Sequence, residues 1–323
     1  GLTSGGLGAT DIGNKAAIGG LSRRFYERIW RHYSEDEAWR WQQRSTYRSR
    51  RSRPTDRAMW TFEPHVAERV LRTMLAEHEV TIAFGERLDL DHGVTKEGAR
   101  IRSIRMESGR QFVGRVFIDA TYEGDLMAKA GVAFTVGREH NDRYDETLNG
   151  VQVKNARHHQ FVAEVDPYIV AGDPSSGLLQ GIRAQRLPTD GTGDDGVQAY
   201  CFRMCTTDLA ANRVAWTKPA DYDESLYGLL FRNFEAGDLR IPWNPIWMPN
   251  KKTDTNNNFA VSTDFIGQNY DWANSDYAGR AEIFQAHLTY QQGLMWSLAN
   301  HPRVPEKVRD YFQRFGLAKD ELV

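Results

Sequence analysis

The chain has 323 residues, of which 40% are hydrophobic and 26% are charged, and its formal net charge is −2. This length allows a sizeable buried core and favours two domains. The small net charge provides no general attraction to nucleic acid or to anionic lipid, and no apolar run reaches the ~18 residues that a membrane-spanning helix needs. We therefore expect neither nucleic acid nor a membrane as a partner.

Cysteine and histidine usage argues against stabilising bridges and metal sites. The two cysteines are Cys201 and Cys205. On one strand they would lie ~13 Å apart, beyond the ~7 Å limit between Cα atoms of a disulfide. The histidines show no metal-ligand spacing, so no metal site is predicted. No signal peptide is present, but without an initiator Met at Gly1 this says little about export. We expect a cytoplasmic location rather than export, and nothing in the composition indicates the oligomeric state.

The first twenty residues form a glycine-rich segment, in which seven residues are glycine. It contains neither the dinucleotide-binding nor the P-loop fingerprint. Such a segment brings backbone N–H groups against a flat or anionic ligand without intervening side chains. It is interpreted either as a flexible end or as one wall of a ligand site.

Two helices are predicted next. Leu21, Phe25 and Ile29 recur at every fourth position and predict a helix from Gly20 to Tyr33. Pro64 is typical of a first helical position, and the apolar face after it continues through Glu77. Between the two helices lies an arginine-rich run with interleaved aromatic residues, which occurs in proteins that bind single-stranded nucleic acid. A solvated or interdomain loop agrees better with the overall charge.

The following stretch predicts a small antiparallel meander. Four runs have strand character: Val80–Phe84, Leu88–Leu90, Ile101–Met106 and Gln111–Phe117. Ser108-Gly109 is a credible tight turn between the last two runs. The meander leads into Val116–Ile118, a continuous apolar run that is typical of a strand buried on both faces of a parallel sheet.

Small and polar residues follow this apolar run, in the order Asp119-Ala120-Thr121. Open α/β sheets bind ligands just beyond the carboxyl ends of their strands. Ala120 and Gly124 would let a ligand approach the backbone closely. The stretch is therefore either a cofactor site or an ordinary turn after a buried strand.

The second half of the chain predicts two strands, Val132–Val136 and Gln198–Thr207, and a long helix, Tyr277–Asn300. Arg203 lies on one face of the second strand, between two cysteines. It either clamps a carboxylate or pairs with an internal acid. His287 lies on the apolar stripe of the helix and is predicted to be a core histidine rather than a base.

Tryptophan, asparagine, aspartate and threonine are concentrated between Ile241 and Ala273. Aromatic and amide side chains hold polar, neutral ligands such as sugars by stacking and hydrogen bonding. The same residues also form ordinary structured loops, because Asn and Asp close turns on themselves. Both interpretations stay open on the sequence alone.

Several ordered motifs resemble one family. The stretches GLTSGGLGATDIGNKAAIGGLSRRFYERI, FEPHVAERVL and RVFIDATYEGDLMAKAGV resemble FAD-dependent oxidoreductases of the glutathione-reductase fold, whose members often carry the label "probable xanthan lyase". AYCFRMCTT and KKTDTNNNFAVSTDFIGQNYDWA resemble later motifs of that family. The resemblance implies an α/β fold with an incomplete FAD-binding domain and β-meander over residues 1–132, including a helical, arginine-rich insertion at about 20–60. A mixed α+β substrate domain would follow over residues 133–323.

The resemblance also implies site residues. The residues expected near the isoalloxazine ring and ribityl chain are Leu2, Thr3, Ser4, Gly5, Gly6 and Gly8. Ala120, Thr121 and Gly124 would approach the adenosine–pyrophosphate side, and the backbone of Arg87 or Leu88 would meet adenine. The candidate catalytic residues are polar groups on the matching stretches, namely Arg203, Asp11 and Asp264.

The family has a first strand and glycine turn before the point that corresponds to Gly1, and a flavin-covering segment after Val323. The resemblance therefore implies a fragment, and we expect these 323 residues alone to bind FAD weakly. The implied function is FAD-dependent oxidation or reduction of a small organic substrate, with a carbohydrate-like molecule as one candidate. The alternative is a carbohydrate-binding or polysaccharide-lyase module without flavin, although no compact cluster of a base and a charge neutraliser is visible.

Overall fold

The computed structural model describes residues 8–9, 11–52 and 55–321. The helices are α1 (Gly20–His32), α2 (Pro64–Glu77), α3 (Asp125–Lys129), α4 (Gly228–Glu235), α5 (Tyr277–Asn300) and α6 (Glu306–Gln313). The strands are β1 (Val94–Glu97), β2 (Arg100–Arg105), β3 (Gln111–Val113), β4 (Met204–Thr207), β5 (Arg213–Val214), β6 (Trp243–Met248), β7 (Lys252–Asn257) and β8 (Gly316–Ala318). No helix in these ranges is long and apolar enough to cross a bilayer.

Strands β1, β2 and β3 form an antiparallel meander, with Ser103 opposite Val113 in its second pair. Strand β2 and the start of β3 match predicted runs, but β1 was not predicted, Gln111–Phe117 is a strand only to Val113, and Leu88–Leu90 is reduced to a bridge between Leu88 and Met106. The turn between β2 and β3 is also confirmed. Gly109 has a φ of 84°, in the left-handed region that favours glycine, and Met106 N–H donates to Arg110 O at 2.8 Å. The meander is therefore held by local pairing that the sequence signals directly.

The second sheet has five strands in the order β5-β8-β4-β7-β6, and every neighbouring pair is antiparallel. Helices α4, α5 and α6 cover one face of it. Their buried side chains include Phe231, Leu294, Leu298 and Phe312, each at most 1% exposed. The predicted helix Tyr277–Asn300 is confirmed, because its apolar stripe packs into this core.

Helices α1 and α2 form a separate core with the segment that precedes α2. Phe25 meets Phe62 edge to face with ring centroids 5.7 Å apart, and Trp60 is fully buried beside Tyr26. Both helices begin where they were predicted to begin. Pro64 occupies the first turn of α2, where its missing N–H costs no hydrogen bond.

Three strand predictions are wrong. The segments Val80–Phe84, Val116–Ile118 and Val132–Val136 are irregular, and Val116 and Ile118 are 78% and 83% exposed. A strand needs a neighbour to satisfy its backbone, and the described residues contain only antiparallel pairs, with none beside these segments. The apolar runs predicted strands, but an apolar run does not show whether a neighbouring strand is available to pair with it.

The prediction for Gln198–Thr207 is correct only in its last four residues, which form β4. Residues 198–203 have no strand partner and are held by side chains instead. Gln291 of α5 bonds both backbone groups of Phe202, accepting from its N–H at 2.8 Å and donating to its carbonyl at 2.7 Å. The approach to β4 is therefore fixed by α5 rather than by the sheet.

A buried ammonium group joins the α1–α2 core to the five-stranded sheet. Lys252 is fully buried, and its Nζ lies 2.7 Å from Glu63, 2.8 Å from Asp320 and 2.6 Å from Glu321. We call these four residues the Lys252 junction. Burial alone would lower the pKa of Lys252, but the surrounding carboxylates outweigh that effect and raise it.

Candidate functional site

The end of the glycine-rich segment is inserted between the two cores. Gly8 O accepts the N–H of Phe62 at 2.9 Å, and Ala9 forms an antiparallel bridge with Thr61. A Cβ added at Gly8 would lie 1.7 Å from Met248 Sδ and 2.4 Å from Phe62 O, so only glycine fits. The predicted residues Leu2, Thr3, Ser4, Gly5 and Gly6 lie outside the described residues.

A buried carboxylate anchors this segment to strand β7. Asp254 is fully buried, and its Oδ2 accepts the backbone N–H of Ala9 at 3.1 Å. Its Oδ1 accepts two hydrogen bonds from Arg203, at 3.0 Å from Nε and 2.6 Å from Nη2. Burial raises the pKa of Asp254, and Arg203 and the Ala9 N–H partly offset that rise.

Arg203 therefore pairs with an internal acid, one of the two alternatives left open by the sequence. The guanidinium group pairs with the Asp254 carboxylate, and the same carboxylate accepts the N–H of Ala9. Arg203 thus helps to position the end of the glycine-rich segment indirectly, through Asp254. Asp254 itself lies in the motif KKTDTNNN, but no periodicity marked it as the partner.

A cleft of about 760 Å³ opens between the meander, residues 118–126 and the first half of α5. We call it the α5 cleft. Its lining includes Arg87, Leu88 and Thr121, three residues that the sequence assigns to the adenosine side of the cofactor. Its volume lies within the range of roughly 300–1,000 Å³ that is usual for ligand pockets.

The turn at the mouth of the α5 cleft is organised by Asp119. Its carboxylate accepts from both the N–H and the hydroxyl of Thr121, at 3.0 and 2.7 Å, and from Met127 N–H at 3.0 Å. Burial would raise the pKa of Asp119, but these hydrogen bonds lower it. Gly124, with a φ of 70°, caps α3 and donates its N–H to Thr121 Oγ1. Ala120 is exposed beside them.

The opposite wall of the α5 cleft comes from the start of α5. Arg280 forms two hydrogen bonds with Asp125, at 2.7 and 2.8 Å. Tyr277 donates its hydroxyl to Leu88 O at 2.9 Å, and the Arg87 guanidinium lies 3.9 Å from the centre of its ring. These contacts fix a flat aromatic surface and a cation beside the predicted adenine-binding strand. Sequence reasoning did not identify Tyr277 or Arg280, because only the fold brings α5 to this place.

The third predicted catalytic residue, Asp264, is the centre of a second polar group. Its Oδ2 accepts from Asn257 Nδ2 at 2.7 Å and lies 3.0 Å from His159 Nε2, and the Cys201 thiol also bonds it. We call these four residues the Asp264 cluster. Burial alone would raise the pKa of Asp264, but its hydrogen bonds lower it, so the carboxylate is charged. Burial raises the pKa of the Cys201 thiol to about 12, which keeps the thiol neutral.

The remaining predicted residues have plainer environments. Asp11 is exposed, two positions after Ala9. His287 lies in the core, as predicted, with Nδ1 2.8 Å from Ile283 O. Trp243 is packed in the core, and Asn269 bonds Gln198 O at 2.8 Å. Much of the segment between Ile241 and Ala273 is thus structural.

One further group has the composition of a metal site. Ligand atoms of Glu63, His65 and Glu321 lie within 4.8 Å of one another. Lys252 Nζ is already bonded to both glutamates, at 2.7 and 2.6 Å, and supplies a positive charge there. His65 Nδ1 bonds Glu321 at 2.6 Å, which raises the pKa of His65. This group is accounted for by its own ion pairs.

The α5 cleft has the volume and an aromatic wall for a flat ring system. Gly8 leaves no room for a side chain, and the α5 cleft collects a backbone carbonyl, a stacked arginine and the small turn around Thr121. Two comparisons, with curated proteins and with solved structures, find no match. The model of one family, described as FAD dependent oxidoreductase, matches residues 1–323. The chain therefore belongs to the FAD-dependent oxidoreductase family and is an oxidoreductase whose cofactor is FAD.

Proposed function

We propose that FAD binds with its adenosine part in the α5 cleft and its isoalloxazine ring near Gly8 and Ala9. The observation that carries this proposal is the meeting of Arg87, Leu88 and Thr121 around one cavity of about 760 Å³. These residues were predicted from two separate stretches of sequence. The glutathione-reductase fold, with residues 1–132 as the FAD-binding domain and 133–323 as the substrate domain, is part of the same proposal.

The α5 cleft has suitable groups for a nucleotide. Apolar side chains of Ile104 and Phe284 line it and would cover the faces of an adenine ring. Arg87 is held over Tyr277 and next to Glu107, which fixes its position without filling the cavity. The N–H and the hydroxyl of Thr121 both donate to Asp119, so Thr121 would contribute its backbone carbonyl, as an acceptor for a ribose hydroxyl.

Near Gly8 and Ala9, the protein would position the isoalloxazine ring and set its electrostatic environment, while bound FAD would supply the two-electron chemistry. Asp254 holds the N–H of Ala9, and Arg203 balances the buried negative charge. These contacts fix the backbone of Gly8 and Ala9, the residues that we place nearest the isoalloxazine ring.

The proposed substrate is a small, hydroxylated organic molecule, with carbohydrates as the leading class. Support comes from the Asp264 cluster, where carboxylate, imidazole, amide and thiol groups meet beside strand β7. Carboxylate and amide groups recognise hydroxyls by hydrogen bonding. The cluster and the Ala9 anchor share strand β7, which would place substrate and flavin close together.

Replacing Thr121 tests the cofactor placement. In the complete protein, Thr121→Trp puts an indole into the α5 cleft from an exposed turn, so we expect a folded protein that no longer retains FAD. Thr73→Trp, on the exposed face of α2, is the matched control and should retain FAD. FAD is titrated into each protein and followed by flavin fluorescence, with circular dichroism as the folding check. Equal FAD affinity in the two variants would exclude the α5 cleft as the adenosine site.

A further inference from the structure

The Asp264 cluster has an orientation that determines the role of its histidine. His159 Nε2 lies 3.0 Å from the Asp264 carboxylate, which can only accept a hydrogen bond when charged. The hydrogen bonds to Asp264 lower its pKa and keep it charged, so the Nε2 atom carries the proton. In the neutral imidazole, Nδ1 then keeps a free lone pair. Asp264 and His159 therefore have the geometry of an oriented base.

The free nitrogen has no partner within the described residues. His159 Nδ1 is buried and makes no hydrogen bond, and the same is true of Ser262 Oγ, Thr263 Oγ1 and Asn269 Oδ1. Thr263 directly precedes Asp264 and is 2% exposed, while Ser262 and Asn269 are at most 1% exposed. Buried polar atoms are nearly always paired, so the unpaired His159 Nδ1 beside Asp264 calls for an explanation, and a polar ligand would supply the missing partner.

The backbone of His159 has an uncommon conformation. Its φ is 56°, in the left-handed region that residues other than glycine rarely adopt. Its neighbour His158 does not share this conformation; it is exposed, and its carbonyl accepts a hydrogen bond from Gln160 Nε2. The segment around His159 has no regular secondary structure. Observed strain of this kind is a reason to look for function.

The Asp264 cluster is connected through strand β7 to the proposed flavin position. Asn257, which bonds Asp264, is three residues after Asp254 on β7, a distance of ~10 Å along a strand. Asp254 bonds Ala9 of the glycine-rich segment. The Asp264 cluster therefore lies at the end of the strand whose Asp254 anchors Ala9.

Resting on the function proposed above, we infer that His159 is the general base of the oxidation, and that Asp264 and Asn257 position it. The hydroxyl proton of an alcohol substrate passes to His159 Nδ1 as the substrate O–H bond breaks. The adjacent C–H bond breaks with its electron pair, which leaves as hydride to oxidised FAD, and a C=O bond forms. The substrate loses two electrons and two hydrogens, and FAD gains the two electrons.

The tautomer of His159 is the first test and needs no substrate. In the full chain with bound FAD and ¹⁵N-labelled histidine, NMR should show His159 protonated at Nε2 and unprotonated at Nδ1. His159→Gln assigns the signal. Asp264→Asn should remove the preference for this tautomer. A proton on Nδ1 in the wild-type protein would overturn the inference, whatever the substrate is.

Chemical rescue is the second test. His159→Gly suits the left-handed backbone and leaves space for an imidazole molecule, so the variant should fold and retain FAD. Glycerol, D-glucose and D-glucuronate are the probes, and anaerobic flavin bleaching is the readout. We expect a ~10²–10⁴-fold slower reduction in the variant, the usual contribution of a general base, and recovery of at least about tenfold with added imidazole.

His158→Gly is the matched control and should reduce its flavin at the wild-type rate. A normal rate in His159→Gly would overturn the inference, as would a loss that follows FAD content and that imidazole does not restore. If no probe bleaches the wild-type flavin, the proposed substrate class fails instead. The tautomer measurement still decides the role of His159 in that case.

Discussion

The buried carboxylate of Asp254 accepts the backbone N–H of Ala9 from 245 residues earlier in the chain. This single contact ties the glycine-rich segment to the middle of the five-stranded sheet. Arg203 completes it, because a buried carboxylate needs a counter-charge. The position of the segment that we assign to the flavin thus depends on an ion pair in another part of the sequence.

The first prediction concerns Arg203. Arg203→Leu leaves Asp254 buried without its guanidinium partner, so the free energy of unfolding should fall by about 3–5 kcal/mol. FAD retention should weaken as well, because Ala9 loses its anchor. Urea denaturation and flavin fluorescence measure the two effects.

The matched control for Arg203 is Arg102→Leu, which removes an exposed pair with Glu97. We expect a change within about 1 kcal/mol there. If Arg203→Leu keeps its stability and FAD, and instead raises the KM for an anionic substrate alone, then Arg203 is a carboxylate clamp and the ion pair is incidental.

The second prediction concerns Gly8. Gly8→Ala places a methyl group 1.7 Å from Met248 Sδ and 2.4 Å from Phe62 O, and the backbone carbonyl cannot move away freely. The end of the glycine-rich segment should be displaced, with a loss of FAD retention that exceeds any loss of overall stability. Gly19→Ala is the control, because no atom lies within 4 Å of its Cβ position. Equal FAD binding by the two variants would contradict the placement of the flavin near Gly8.

The third prediction concerns the Lys252 junction. Lys252→Met leaves the buried carboxylates of Glu63 and Glu321 without their ammonium partner, and the expected loss of unfolding free energy is about 3–5 kcal/mol. The adjacent Lys251 is exposed, so Lys251→Met should change it by less than about 0.5 kcal/mol. Thermal or urea unfolding distinguishes the two. Similar midpoints for both variants would show that the junction adds little to stability.

The fourth prediction concerns the acid side of the stability profile. Hydrogen bonds from Arg240 lower the pKa of Asp238 to about 2, from an ordinary value of 3.8. A carboxyl whose folded-state pKa is lowered contributes stability above its unfolded pKa and loses that contribution as pH falls towards the folded one. The contribution at neutral pH should be roughly 2 kcal/mol.

Urea unfolding between about pH 5 and pH 2 tests this prediction. Asp238→Asn should lose part of the pH dependence seen in the wild-type protein over that interval, whereas Asp11→Asn, at an exposed position, should retain it. An unchanged profile in Asp238→Asn would mean that other carboxylates account for the acid sensitivity.

Local signals were sufficient for helices α1, α2 and α5 and for the β2–β3 hairpin, whereas α3, α4, α6 and β1 were not predicted. The i+4 recurrence of Phe25 and Ile29, the proline before α2 and the Ser108-Gly109 turn each act over a few residues, and each is confirmed. Val116–Ile118 shows the limit of such signals. Its composition is that of a buried strand, but burial depends on a partner that composition does not specify.

Several residues of the candidate site could be predicted from the sequence, but the residues that they contact could not. The family resemblance pointed to Arg87, Leu88 and Thr121, and the fold brings them to one cavity. The partners of Arg203 and Asp264 lie 51 and 105 residues away, at Asp254 and His159. No periodic pattern relates positions so far apart. His159 was visible only as half of a histidine pair, and its left-handed backbone becomes apparent only in three dimensions.

The Lys252 junction also bears on how long the folded state lasts. Asn250 and Glu63, which meet beside Lys252, are 187 residues apart in sequence. Closing so long a loop costs chain entropy before any ion pair forms, so these contacts should form late in folding and be absent from the transition state. A contact absent from the transition state acts on the unfolding rate. The buried ammonium should therefore mainly slow unfolding, and so set the lifetime of the native protein rather than the speed at which it is reached.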